Sequence, residues 1–99
     1  MPRIRHAVLF RWKPEVTPEH VAEAEGALRE LPSKVTSIRS YVFGRNIGVN
    51  PGTFDYAVIA EFDDLDGYLD YRDHPDHKAF IARYTADFVS DRAAIQMEI

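Results

Sequence analysis

Apolar and polar residues alternate along the first strand-length stretch of the chain. Ile4, His6, Val8, Phe10 and Trp12 fall on one side, and Arg5, Ala7, Leu9 and Arg11 on the other. A period of two predicts a strand, because successive side chains of extended backbone point to opposite faces. Pro14 ends it. Thr17-Pro18 then reads as an N-cap with proline at the first helical position, where the missing N–H would have had no partner in any case. Val21, Ala24, Leu28 and Leu31 follow at helical spacing, with Gly26 a weak point inside. Pro32 is expected to stop this helix.

Residues 37–47 predict a second strand, with Ile38, Ser40 and Val42 on one face and Arg39, Tyr41 and Phe43 on the other. Gly44 reads as a bulge within it, and Asn50-Pro51-Gly52 as a turn after it. Residues 54–62 predict a third strand, whose Phe54, Tyr56, Val58, Ala60 and Phe62 share a face opposite Ala57, Ile59 and Glu61. Asp63 or Asp64 can cap a short helix carrying Leu65, Tyr68 and Leu69. Pro75 starts another, with Phe80, Ile81, Tyr84 and Phe88 as its apolar face. Residues 92–99 predict a last strand, with Ala93, Ile95, Met97 and Ile99 on one side. The order β-α-β-β-α-β, with the second helix broken at His74-Pro75, predicts an α+β, ferredoxin-like fold. Its helices lie on one face of an antiparallel four-stranded sheet.

The other face of such a sheet is polar if it meets water. Here Ala7, Leu9, Tyr41, Phe43, Ala57 and Ile59 are assigned to it, rimmed by Arg5, Arg11, Arg39 and Glu61. An apolar patch with a charged rim indicates an interface. The expected partner is a second copy, the two sheets stacking on a two-fold axis into a barrel-like homodimer.

Composition narrows the picture further. The 99 residues are expected to form one domain, 1–99, and there is no cysteine, so disulfides and thiolate metal sites are excluded. No secretory h-region and no run of membrane-spanning length is seen, which makes a cytoplasmic protein with no membrane partner the expectation. Net charge is −4, and seven acidic residues from Glu61 to Asp76 stand against Arg72 alone. Such a surface repels phosphate backbones, so no nucleic-acid partner is expected.

Three residues carry candidate chemistry. His77 precedes Phe80, Ile81 and Tyr84 by three, four and seven positions, which places it on their apolar stripe. His6 shares its strand face with Val8 and Phe10, under the helices, and Tyr71 lies six residues before His77. Imidazole near neutral pH accepts or delivers a proton, and a phenol can donate a hydrogen bond to a developing oxyanion. The plainer reading is that each is a core residue with its polar atom satisfied by backbone. Asp73-His74-Pro75-Asp76-His77 also has metal-like spacing. However, His74 before proline suits a helix N-cap and Asp76 suits the helix dipole, so no metal site is expected. No nucleophile elbow, phosphate loop or dinucleotide fingerprint is present.

Three segments carry a family resemblance. Ile4-Arg5-His6-Ala7-Val8-Leu9-Phe10-Arg11-Trp12-Lys13 looks like the opening strand of the Dabb family, the stress-responsive α/β-barrel domain. Gly44-Arg45-Asn46 resembles its glycine turn, and Tyr71-Arg72-Asp73-His74-Pro75-Asp76-His77 its Tyr-x-x-His-Pro-x-His pattern. The resemblance implies ferredoxin-like dimers whose sheets pack into a barrel. One branch, a plant polyketide cyclase, closes a linear polyketide by aldol condensation without a cofactor. By that likeness His77 is the base, Tyr71 helps hold the substrate and His6 lines the same pocket. Two departures stand out. The acidic residue that supports the cyclase base has Ile95 or Gln96 near its position, with Asp91 and Glu98 as nearby substitutes. Ile81 replaces a small residue and narrows the pocket.

The sequence thus supports a cofactor-free cyclase- or lyase-type enzyme acting on a small carbonyl compound, with Val8, Phe10, Val58, Leu65 and Phe80 lining its pocket. It equally leaves open a binding protein without turnover and a stress-protective structural dimer. For an oxygenase of the related dimeric barrel type no residue speaks.

Overall fold

The computed structural model describes residues 2–99. In chain order the elements are β1 (Ile4–Trp12), α1 (Pro18–Lys34), β2 (Ser40–Arg45), β3 (Tyr56–Phe62), α2 (Leu65–Asp73), α3 (Pro75–Phe80) and β4 (Val89–Glu98). The strands form one sheet in the order β2-β3-β1-β4, and every neighbouring pair is antiparallel. This is the ferredoxin-like α+β arrangement that the element order predicts.

The caps explain where the helices begin. Thr17 accepts a hydrogen bond from the His20 N–H and Pro18 follows it; Asp64 accepts from the Gly67 N–H. His74 separates α2 from α3, and its ring accepts from the Asp76 N–H. Pro32 does not end α1, which continues to Lys34. In the last turn the missing proline N–H removes a single helical bond. The Val35 N–H still reaches the Leu31 carbonyl at 2.8 Å, and the Ser33 hydroxyl donates to the Glu30 carbonyl at 2.7 Å. The turn at Asn50-Pro51-Gly52 closes with Gly52 at a φ of 76°, a left-handed conformation that glycine adopts without a Cβ clash.

Strand register decides what each face holds. His6 stands opposite Ala60, Val8 opposite Val58 and Phe10 opposite Tyr56. These residues meet the helices. Tyr41 pairs with Ala60 and Phe43 with Val58, so both lie on the covered face, not on the open face to which the alternation assigned them. The cause is that β2 begins pairing only at Ser40. Ile38 precedes the strand, and its N–H bonds to the Val35 carbonyl in a turn. Its burial therefore does not set the phase of the strand. Nor does Gly44 form a bulge: pairing with β3 runs through it unshifted, and the irregularity falls between Arg11 and Trp12 of β1.

The core lies between the covered face and α1. Leu28, Val35 and Phe62 are its largest fully buried side chains, joined by Leu31, Tyr56, Val58 and Tyr71. Each such burial contributes roughly 1.5–3 kcal/mol. Beyond Phe80 the helix widens into a π-helical turn, Ile81–Thr85, in which the Ala86 N–H reaches back five residues to the Ile81 carbonyl at 2.8 Å.

The open face carries Ala7, Leu9, Ala57 and Ile59, as expected. Val42 stands opposite Ile59 and Ile95 opposite Ala7, with Ala93 and Met97 on the same side. Arg5 and Arg3 both bind Glu61 at the edge, at 2.8 Å. No helix of the described residues is long and apolar enough to cross a membrane.

Candidate functional site

A cavity of about 470 Å3 opens between the covered face of the sheet and the α2–α3 segment. Its floor is apolar: Val8, Phe10, Leu28 and Val58. Phe80, Ile81, Thr85 and Ala86 close one side, and Val89 to Arg92 of β4 another. Polar groups enter from five strands and helices, with His6 from β1, Tyr41 from β2, Tyr68, Tyr71 and Arg72 from α2, His77 from α3, and Ser90, Asp91 and Arg92 from β4.

The two imidazoles differ in setting. His6 is 4% exposed. The Gln96 side-chain amide donates to its Nδ1 at 2.9 Å, which leaves the proton of the neutral ring on Nε2. Burial first, then the nearby charge of Arg92 and that of His77 when it is protonated, push its pKa down to about 4. His77 stacks on Tyr71 with ring centroids 4.0 Å apart and planes 28° apart. Its Nδ1 donates to the Arg72 carbonyl at 3.3 Å, so Nε2 keeps the free lone pair. Burial holds its pKa below the ordinary value, although the Arg72 and Tyr71 carbonyls work against this by stabilising the ring N–H. Both rings are therefore neutral near pH 7.

Tyr71 is buried and its hydroxyl lies 2.9 Å from that of Tyr41. Burial is the main reason that both phenols are pushed up. One hydroxyl must donate to the other, so the pair retains a single O–H proton for a further acceptor.

Of the residues expected at the site, His6, Tyr71, His77, Val8, Phe10, Val58 and Phe80 all reach the cavity wall. Leu65 does not: it is 56% exposed and off the wall. Successive steps of three residues rotate a helical stripe by about 60°, so Leu65 stands about 120° around α2 from Tyr71. Gln96 serves His6 rather than His77, and Ile95 points to the open face. Asp91 reaches the wall but is held by Arg11 at 2.7 Å. A backbone carbonyl thus fills the orienting role at His77 that a carboxylate was sought for. Among the described residues no group of three or more His, Cys, Asp or Glu could hold a metal ion.

Sequence reasoning missed Tyr41, Tyr68 and Arg92 at the wall. Tyr41 was lost with the phase of β2. Arg92 was legible in principle: if Ala93, Ile95 and Met97 share the open face, Arg92 belongs to the covered one.

A ferredoxin-like sheet with a cavity lined by histidine and tyrosine beneath its helices defines the class of protein. The chain belongs to the Dabb family, matching the Stress responsive A/B Barrel Domain over residues 4–99. An uncharacterized protein of Streptomyces coelicolor is 34% identical over 82 residues, spanning 80% of this chain and 84% of that protein. Among solved structures, a dimeric ferredoxin-like protein of unknown function from Thermobifida fusca superposes with a TM-score of 0.91. It is 41% identical, and the match covers 99% of this chain and 92% of that one. The hydroxynitrile lyase of Passiflora edulis superposes at 0.87 with 16% identity, covering 99% and 94% of the two chains. That likeness is one of fold.

Proposed function

We propose that this chain is a homodimeric small-molecule protein whose cavity carries out a cofactor-free proton transfer of lyase or cyclase type on a carbonyl compound. The observation that carries the reading is His77 stacked on Tyr71 at 4.0 Å, with Nδ1 committed to a carbonyl and Nε2 free. Nε2 takes a proton from the carbon next to the substrate carbonyl, and the C–H electron pair moves onto the carbonyl oxygen. The O–H left over from the Tyr41–Tyr71 pair donates to that oxyanion. His6, neutral and buried, donates from Nε2 to a second oxygen. For ring closure the enolate carbon then attacks a second carbonyl of the same substrate, forming the C–C bond, and the imidazolium at His77 gives its proton to the alkoxide so formed, so no other reactant is consumed.

The dimer is supported by the open face, whose Val42 and Ile95 are 61% and 58% exposed in one chain, and by the dimeric Thermobifida relative. Two stacked sheets would bury both patches in a barrel. Light scattering at micromolar concentration should give twice 11.4 kDa; the mass of one chain would overturn the dimer.

A second reading, binding without turnover, is favoured by one observation: no carboxylate backs His77. A neutral carbonyl stabilises an imidazolium less than a carboxylate does. The deciding experiment is a thermal-shift screen of small phenols, carboxylic acids and β-keto compounds on wild type and His77→Ala, followed by product analysis of every compound that shifts. Turnover lost in a His77→Ala variant that keeps its mass and melting temperature supports the enzyme. Compounds bound and recovered unchanged support the binder. A variant that only melts earlier, beside a wild type that binds nothing, removes both readings.

A further inference from the structure

We propose that Arg92 is the anion anchor of this cavity and that the ligand is a carbonyl compound bearing a carboxylate. This rests on the reading of the cavity as a ligand pocket and specifies what enters it. Arg92 stands opposite Phe10 in the β1–β4 register, on the helix side of an edge strand, and forms an exposed part of the wall, at the cavity mouth. Its backbone N–H is held by the Asp91 carboxylate at 2.9 Å. Its guanidinium has no carboxylate within 4 Å and no hydrogen-bond partner among the described residues.

Charge accounting on the wall isolates it. Arg72 is also a wall residue, but Asp73 grips it through two bonds of 2.9 and 3.0 Å. Asp91 is matched by Arg11. His6 and His77 are held neutral by burial. The remaining groups are phenols, hydroxyls and hydrocarbon. One positive charge is therefore left over, and it is felt at His6, His77 and Tyr71 alike. Its place on the cavity wall beside His6, Tyr71 and His77 puts it on the same space as the proposed base.

An arginine fork is suited to a carboxylate, since two parallel N–H bonds match its two oxygens. The apolar floor suits a hydrocarbon or aromatic body. Burial is the main cause of the lowered His77 pKa and the charge of Arg92 a lesser one, so a carboxylate placed on Arg92 would remove that lesser contribution and favour the protonated ring slightly.

The test is calorimetric titration of the full-length wild type, Arg92→Gln and Arg92→Lys with 3-benzoylpropanoate and with its methyl ester, a neutral molecule of the same skeleton. The expected result is that wild type binds the acid at least tenfold tighter than the ester. Arg92→Gln should bring the acid to the affinity of the ester without weakening the ester, and Arg92→Lys should keep part of the preference. Added salt should weaken the acid alone. Equal affinity for acid and ester in wild type, or equal loss of both in Arg92→Gln, overturns the anchor and leaves the pocket standing. Failure of wild type to bind either compound at millimolar concentration removes the pocket, and the anchor with it.

Discussion

Strand β3 serves two surfaces that differ in how far one chain can bury them. Tyr56, Val58, Ala60 and Phe62 are buried under the helices, while Ala57, Ile59 and Glu61 between them are only half-covered. Apolar content is not what separates the faces, because Val42, Ile59, Ile95 and Met97 are as apolar as their covered counterparts. What separates them is the presence of a partner. On the covered face α1 supplies one, and packing is close where Leu31 and, just past the helix, Val35 reach. Packing is incomplete only beneath α2 and α3, and there the wall turns to histidine, tyrosine and arginine. The open face has no helix over it, and its charged groups stay at the rim. Incomplete packing with polar groups marks a place for a small ligand, whereas incomplete cover without them marks a place for another protein surface.

The contrast can be broken from either side, the largest effect being expected on the open face. Ile95→Glu puts a charge in the middle of the apolar patch, and light scattering should then find single chains in place of pairs. A dimer that persists would place the interface elsewhere. On the covered face, Phe62→Ala should lower stability to urea by about 3–5 kcal/mol, the usual cost of an aromatic removed from a closed core. Acid should act on the same face through the buried imidazoles. The folded pKa of His6 lies near 4, below the 6.5 of an unfolded histidine, so the unfolded chain binds more protons in that window. Stability is therefore full above pH 6.5 and declines as pH falls towards 4, by as much as roughly 3 kcal/mol from His6. His77 adds to this in the same direction. Denaturation midpoints followed across that window should flatten in His6→Gln, whose side chain does not titrate. Leu65→Ser should have the smallest effect, within about 0.5 kcal/mol and with ligand binding unchanged, because Leu65 lies outside both surfaces.

Much of this was legible in the chain. Caps, with Pro18 and Pro75, located the helix starts because their chemistry is local: Thr17 and Asp64 need only the next turn. Pro32 misled about the end of α1. The alternation of β1 and β3 was legible because each strand has one strongly apolar side. It failed in β2, where Ile38 and Val42 on one side compete with Tyr41 and Phe43 on the other. Phase there depends on where pairing with β3 begins, which is a long-range fact. The convergence of His6, Tyr71 and His77 could be anticipated from helical and strand spacing. The Tyr41–Tyr71 hydroxyl pair could not, since it needed the true phase of β2. The Arg72 carbonyl at His77 was invisible for a different reason: a backbone acceptor leaves no mark in the residue pattern.

The π-helical turn at Ile81–Thr85 has a consequence for how the cavity could vary among descendants of this chain. Such a turn is an α-helix with one residue too many, so its length can change by one without touching the strands on either side. Removing a residue between Ile81 and Thr85 would restore regular helical winding while leaving the side chains before and after the turn in phase, because the wide turn rotates less per residue. Phe80 would keep its side of the helix, and the wall between it and Ala86 would lose one side chain and tighten. A single codon lost or gained at this turn could therefore reshape the cavity while the sheet, its register and its open face stayed as they are.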